Sequence, residues 1–298
     1  MKILNLIFII SILMNCSTSK SDDNSKKTAL AGLVLLNSCT PTSTLPTQDL
    51  TSCTTIHGTG IPDWIKNSFS CVTTSVSGNN YVFNTTSIPT YNSVYWGSSS
   101  SKYESAQYKN CTGSNYTNPN TIKSQNNTLT VPKDNTSTSS ASFGMGVIGI
   151  ATNGIVIYND QAAPGDSLST EYYTFDTSQG HPTNTGSYHY HVEPPQISKS
   201  DSKLVGIAQD GYLIFGKYHD STAATLSSFT LGGTSSSTKC NTSGVSSSVP
   251  STWTYASNYT SSSKVTANTS YHYHVNNGTE VNAIILSGKS IGALGTSQ

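Results

Sequence analysis

The chain has 298 residues, and its 15 Lys and Arg balance 15 Asp and Glu, so the formal net charge is zero. All of the cations are lysines, which argues against a nucleic-acid-binding protein, because phosphate recognition relies on clustered Arg and Lys. Charged residues form only 10% of the chain, so most of its polarity comes from Ser, Thr, Asn and Gly. The 17 tyrosines exclude a disordered chain and favour one large β domain or two small ones.

The N-terminus predicts a secretion signal. Met1-Lys2 precedes an apolar run over residues 3–14, which is too short for a transmembrane helix. The run ends Leu13-Met14-Asn15-Cys16, which resembles a bacterial lipobox with Asn15 in place of the usual small residue. We therefore expect residues 1–15 to form a lipoprotein signal peptide and Cys16 to carry a palmitate-containing membrane anchor. The alternative is an ordinary signal peptide that happens to contain a cysteine.

The segment after the signal predicts a tether. Residues 16–50 are rich in Ser, Thr and Asn, a composition that suits a linker holding a domain off the membrane. Residues 51–298 are then expected to form the folded β domain. Together these features predict a lipid-anchored protein of the bacterial cell envelope, at the outer membrane or the cell surface.

The remaining cysteines predict disulfides, since an exported protein folds in an oxidising compartment. No Cys-x-x-Cys pair occurs, so a zinc ribbon or a thioredoxin-type site is not expected. Two disulfides and one odd thiol are the default, and Cys53 with Cys71 is the first pairing expected because the two lie close in sequence. The five candidates are Cys39, Cys53, Cys71, Cys111 and Cys240.

An internal duplication organises the centre of the chain. Residues 147–158 align with residues 204–215. Both segments begin with two hydrophobic residues and Gly-Ile-Ala, continue after one variable residue with Asn-Gly or Asp-Gly, and end with Ile and an aromatic residue. Each copy is followed by Tyr-His-Tyr-His, at residues 188–191 and 271–274. Two such tetrapeptides do not arise by chance, so the repeated units span about 147–191 and 204–274.

Each unit predicts a β-hairpin. Asn153-Gly154 and Asp210-Gly211 suit the positive-φ positions of a type I′ turn, with apolar and β-branched residues on both sides. Gly149 and Gly206, inside the first strands, indicate bulges or close backbone approach. Long segments with helical periodicity are missing after residue 50. The predicted fold is mainly β, a sandwich or barrel-like body built from two related hairpin-bearing halves.

The two Tyr-His-Tyr-His segments predict a metal site. Alternate residues of a strand face the same side, so two imidazoles of each segment point together while the tyrosines face the packing. Four neutral imidazoles near a pseudo-twofold axis favour Cu or Zn over Ca or Mg, which prefer oxygen ligands. The predicted ligands are His189, His191, His272 and His274.

Two further residues are candidate accessory groups at this site. His181 lies in Gly180-His181-Pro182, shortly before the first pair. Asp210 replaces Asn153 of the other copy, and this break in symmetry suits a carboxylate that orients a histidine or occupies an open metal position. The structural alternative is a ladder of Tyr and His side chains that hydrogen-bond at a sheet edge.

These residues resemble the YHYH-domain proteins. The resemblance rests on Asn153-Gly154, Gly180-His181-Pro182, the segment 204–211 and the two Tyr-His-Tyr-His tetrapeptides, with Gly60-Ile61-Pro62-Asp63 upstream. It covers roughly residues 57–275 and implies the domain, but no reaction. One departure is the stretch from Ser221 to Ser248, which is rich in Ser and Thr where the family tends to be acidic and Gly-rich.

The leading functional hypothesis is an envelope lipoprotein that binds Cu or Zn through the two motifs. The alternative is a non-catalytic surface module that contacts glycans or host proteins through exposed Tyr and hydroxyl groups. A third hypothesis is a metal-dependent hydrolase or oxidase with Asp210 as base or ligand, which requires an open coordination position and a cleft.

Overall fold

A computed structural model gives the architecture. The described residues lie in a compact unit that spans Thr40–Gln298. The predicted signal peptide, Cys16 and the tether up to residue 43 lie outside the described part. Within that part, no helix has the length and hydrophobicity needed to cross a bilayer. The described ranges are 44–105, 118–133, 141–163, 166, 168–197, 204–216, 218–219, 222–223, 240–241, 272–275, 285, 290 and 292–298.

Fifteen strands and few helices make the described chain mainly β, as predicted. The helical elements are α1 (Asp63–Ser68), α2 (Leu168–Glu171) and a 3-10 turn (Tyr172–Thr174). The strands are β1 (Ile56–His57), β2 (Thr73–Ser77), β3 (Asn80–Thr85), β4 (Asn127–Pro132), β5 (Val147–Ala151), β6 (Val156–Tyr158), β7 (Gly180–Pro182), β8 (Tyr188–Tyr190), β9 (Leu204–Ala208), β10 (Leu213–Phe215), β11 (Tyr218–His219), β12 (Thr222–Ala223), β13 (Cys240–Asn241), β14 (His272–His274) and β15 (Thr296–Ser297).

Two sheets carry the fold. The smaller has five strands in the order β1-β2-β3-β4-β15, and the larger has eight in the order β13-β14-β10-β9-β5-β6-β8-β7. One face of the larger sheet packs on the smaller sheet and on α1, through Ile150, Val156 and Ile207 against Phe83, Leu129 and Ile65. The result is a sandwich, because apolar side chains of both inner faces share one core.

The opposite face of the larger sheet has its own core. Alternation along β8 places Tyr188 and Tyr190 on this face, where long loops bring Tyr91, Tyr95 and Phe143 over them. Both faces of the larger sheet are therefore buried, which explains why β5 and β9 read as nearly continuous apolar runs.

The duplication is visible as a pseudo-twofold axis between β5 and β9. The two strands are antiparallel neighbours, with Ile150 opposite its repeat counterpart Ile207. On one side β5, β6 and β8 lie in order, and on the other side β9, β10 and β14 repeat the arrangement. The registers agree as well, since Ile157 pairs with Tyr190 and Ile214 pairs with Tyr273. The structure therefore contains the two related hairpin-bearing halves.

The close backbone approach predicted for the strand glycines is present at the axis. A Cβ on Gly206 would lie 2.4 Å from the carbonyl oxygen of Ile150, and one on Gly149 would lie 2.8 Å from that of Ile207. A side chain at either position would overlap the neighbouring strand, so glycine lets the two halves come together.

The predicted type I′ turns are wrong. In the first hairpin Gly154 N donates to Ala151 O, and Gly154 has a φ of 80°, whereas Asn153 is not among the positive-φ residues. The second hairpin repeats this, with Gly211 N donating to Ala208 O and a φ of 85° at Gly211. A type I′ turn needs positive φ at both central residues. In the observed turns only the glycine that follows the two central residues has a positive φ.

The disulfide expected between Cys53 and Cys71 is formed. It joins the segment before β1 to the segment before β2, and Gly154 packs so closely on it that an added Cβ would lie 2.8 Å from Cys71 Cβ. Pairing of the other cysteines falls on side chains outside the described part.

Candidate metal centre

Three buried histidines converge at the edge of the larger sheet. β7 and β8 are antiparallel, with His181 directly opposite His189, and His191 follows β8 on the same face. The Nε2 atoms of His181 and His189 are 3.1 Å apart, and those of His189 and His191 are 3.0 Å apart. A tetrahedral Zn site with bonds of about 2.05 Å separates its nitrogens by about 3.3 Å, and an octahedral one by about 2.9 Å. The two observed spacings lie between these values, as expected of neighbouring ligands of one ion.

Hydrogen bonds fix the same tautomer in all three rings. Nδ1 of His189 donates to Ser187 O at 2.9 Å, and Nδ1 of His191 donates to Asn159 O at 2.5 Å. Nδ1 of His181 lies 2.6 Å from Thr174 Oγ1, whose own proton goes to Glu171 O. Because a carbonyl only accepts, each Nδ1 carries the proton and each Nε2 presents a lone pair.

The three lone pairs face one another in a dry environment. The histidines are 2–3% exposed. Burial, together with the charge of neighbouring imidazoles, holds the pKa of His181 and of His189 well below the usual range, and burial lowers the pKa of His191 to about 4. A proton therefore does not bridge the Nε2 atoms at neutral pH, and a metal cation is what would satisfy them.

Aromatic rings wall this cluster, which we call the His triad. Tyr158 stacks on His189 with ring centroids 4.0 Å apart, and Phe175 lies parallel to His191 at 5.8 Å. Within the described residues, the triad is the one group of His, Cys, Asp or Glu side chains whose ligand atoms all lie close enough for one ion. Their largest separation is within 4.8 Å.

The triad lies in a pocket of about 570 Å³. Glu171 is on its wall, with Oε1 3.8 Å from His181 Nε2, and Oε2 is buried without a hydrogen-bond partner. Burial, with a smaller contribution from the charge of Asp166, raises the pKa of Glu171 to about 7. The side of the triad that faces the pocket is where a fourth ligand or a small molecule has room.

A hydrogen-bond network lies behind β8, on the face away from the triad. The Tyr91 hydroxyl is 3.2 Å from that of Tyr188 and 2.5 Å from that of Tyr190. Tyr188 donates to Asp176 Oδ2 at 2.8 Å, and Asn153 Nδ2 donates to the Tyr190 hydroxyl at 3.1 Å. The motif therefore alternates as predicted, with histidines on one face and buried, hydrogen-bonded tyrosines on the other.

The second motif does not reach the triad. β14 and β8 are separated by β10, β9, β5 and β6, so five strand spacings of about 4.8 Å place them roughly 24 Å apart. His274 is buried there, with Nδ1 donating to Gly216 O as His191 does to Asn159 O. The prediction of one site shared by His189, His191, His272 and His274 is therefore wrong, and the site has His181 as its third member. The side chain of His272 lies outside the described part.

Asp210 also belongs to the distant half. Its Oδ1 accepts from Tyr212 N at 3.1 Å, and its Oδ2 accepts from the Tyr273 hydroxyl at 2.6 Å. This contact is the counterpart of the one between Asn153 and Tyr190. The sequence predicts Asp210 as an accessory group of one site formed by both motifs, but the structure places it at the second motif, away from the triad, where its carboxylate closes the second hairpin and accepts from Tyr273.

The two halves also differ in the strand beside the motif. β7 runs antiparallel to β8 and places His181 opposite His189, whereas β13 runs parallel to β14 and places Cys240 opposite His272. The two halves therefore share the hairpin and the motif strand, but they differ in the next strand outward, which is β7 in the first half and β13 in the second.

Several residues of the site carried no sequence signal. Glu171, Thr174 and Phe175 come from the helical connection before β7, and Asn159 contributes through its backbone carbonyl. Met145 lines the pocket from the loop before β5. Glu171 belongs to a residue type that often ligates metals, but no spacing rule connects it to His181.

Comparison with known families identifies the domain. The sequence profile described as YHYH protein matches residues 127–283, more than half of the chain. The chain belongs to the YHYH protein family. The match begins at β4, so the first three strands lie before it, and it includes the His triad and both Tyr-His-Tyr-His motifs of this YHYH protein. Comparison with curated proteins found no significant match, and neither did comparison with solved structures.

Proposed function

We propose that this YHYH protein binds one transition-metal ion, Cu or Zn, through His181, His189 and His191. The observation that supports the proposal is that three buried Nε2 lone pairs converge. An acceptor at each Nδ1 fixes the tautomer of each imidazole ring. Three neutral imidazoles at the base of a pocket suit a borderline ion and leave one coordination position toward the pocket.

Metal content tests the proposal. Residues 28–298, purified without chelators, are expected to contain about one Cu or Zn ion per chain, or to take up one on titration. The variant with alanine at all three triad positions is expected to contain none. Both proteins are analysed by mass spectrometry of the elements, with circular dichroism to establish that the variant is folded. A folded wild-type chain that takes up no metal would leave the glycan- or protein-binding module as the better hypothesis.

An enzymatic role is a second candidate, favoured by the position of Glu171. Its carboxylate is close to His181 and faces the same pocket, where it is placed to accept a proton from a bound water or substrate. This residue takes the role that the sequence suggested for Asp210 in a hydrolase or oxidase.

We further propose that the domain is tethered to the bacterial cell envelope through a lipid on Cys16, at the outer membrane or the cell surface. The support is the lipobox-like Leu13-Met14-Asn15-Cys16 at the end of a short apolar run. Cells that express the full chain are expected to incorporate radiolabelled palmitate into it, and Cys16→Ser should abolish the label. Cys39→Ser is the matched control and should keep it. Equal labelling of the Cys16→Ser chain would contradict the anchor.

A further inference from the structure

Met145 stands out as an apolar residue in an unusual place. The chain has three methionines, and Met145 is the only one beyond residue 14. The residue is 56% exposed, more than any other large hydrophobic residue in the described part, although it lines the pocket of the His triad. Core packing therefore does not account for a methionine here.

Asn159 ties Met145 to the triad. Its backbone oxygen accepts the proton of His191 Nδ1, while its side-chain amide donates to Gly144 O at 2.9 Å. The same amide nitrogen lies 3.9 Å from Met145 Sδ. One residue thus holds both the ring of His191 and the loop that carries the thioether.

The loop leaves the thioether room to move. Gly144 and Gly146 flank Met145, and an added Cβ on either would meet nothing within 4 Å. Gly146 has a φ of 90°, which lets the backbone turn sharply into β5. An unbranched side chain with three rotatable bonds, between two glycines, is well suited to reach toward an ion in the pocket.

We propose that Met145 Sδ is the fourth ligand of a copper ion held by His181, His189 and His191. This inference rests on the proposed metal site and specifies copper, rather than zinc, as the metal. A thioether is a soft ligand that selects Cu(I), whereas Zn is well served by three imidazoles and a water. The resulting set of three imidazole nitrogens and one thioether sulfur holds Cu(I) in the pocket and excludes water from the fourth position.

The affinity test compares two ions in two proteins. Met145→Leu keeps the size and apolar character of the side chain and removes only the sulfur. Its Cu(I) affinity, measured by competition with a chromogenic Cu(I) chelator, is expected to fall about 10- to 100-fold relative to the wild-type chain. Its Zn affinity is expected to stay unchanged, which separates loss of a soft ligand from damage to the pocket.

The structural test uses selenium. In full-length protein labelled with selenomethionine and loaded with Cu(I), X-ray absorption at the selenium edge is expected to show a copper neighbour. Met145→Leu removes this selenium, so no copper neighbour of selenium should remain. Nitrogen-only copper coordination with unchanged Cu(I) affinity in Met145→Leu would overturn the inference while leaving the metal site intact. Absence of any bound Cu or Zn in the wild-type chain would overturn the metal site itself.

Discussion

Replacement of both His189 and His191 by alanine is expected to abolish metal binding, whereas replacement of His274 is expected to leave it intact. The reason is geometric, since the first pair supplies two of three converging Nε2 atoms and His274 lies roughly 24 Å away across the sheet. Loss of two of three ligands should reduce affinity by more than about 100-fold, beyond what supporting residues alone contribute. Titration with Cu or Zn, followed by calorimetry, measures the effect.

The controls use histidines of different surroundings. His274→Gln removes a fully buried ring, so it is expected to lower the melting temperature while the metal stoichiometry stays at that of the wild type. His57→Ala alters a half-buried histidine on the smaller sheet, bonded to Thr74, and should change neither quantity strongly. Metal lost in His274→Gln and kept in the His189/His191 double variant would place the site in the second half of the domain.

Much of the fold follows from local patterns. Alternation along β8 predicted the faces of Tyr188 and His189 correctly, and the repeat predicted two equivalent hairpins, which meet at Ile150 and Ile207. Both are local properties, because side-chain period and turn chemistry act within a few residues. The turn type was predicted incorrectly because Asn-Gly is found in more than one hairpin turn. It occurs at the two central residues of a type I′ turn and also where a left-handed glycine follows the central residues.

The order of strands in the larger sheet depends on contacts between distant segments of the chain. For this reason the sequence prediction placed both Tyr-His-Tyr-His motifs at one metal site, although they lie far apart. The inner edge of each hairpin is occupied at the pseudo-twofold axis, where β5 pairs with β9. The motif strands therefore join the outer edges, β8 beside β6 and β14 beside β10. Two equal motifs in a twofold repeat can meet at the axis or lie far from it, and sequence symmetry alone does not distinguish these outcomes. Glu171 ends the one-turn helix α2 and Met145 lies in a loop, and neither element carries a periodic signal in the sequence.

Asp176→Ala is expected to destabilise the domain by about 3–5 kcal/mol, because a fully buried carboxylate supports the segment that carries His181. Oδ2 accepts from Ser93 Oγ at 2.5 Å and from the Tyr188 hydroxyl, while Oδ1 accepts from Ser178 N and Gly180 N at 2.9 and 3.2 Å. Alanine leaves these donors without acceptors. Asp176→Asn keeps an acceptor for both backbone groups and should cost much less. Urea denaturation at pH 7 measures both free energies of unfolding.

The same pair of proteins gives a signed pH dependence. Burial raises the pKa of Asp176 to about 6, above its ordinary value of 3.8, so the folded state holds this proton more tightly than the unfolded chain. The stabilisation from protonation is complete below about pH 4 and is lost as the pH rises through about 6. Asn carries no such proton, so acidification from pH 7 to pH 4 should shift the difference in unfolding free energy toward the wild type by about 2 kcal/mol. A difference that stays constant over this range would show that the hydrogen bonds to Asp176 offset the cost of burying its charge.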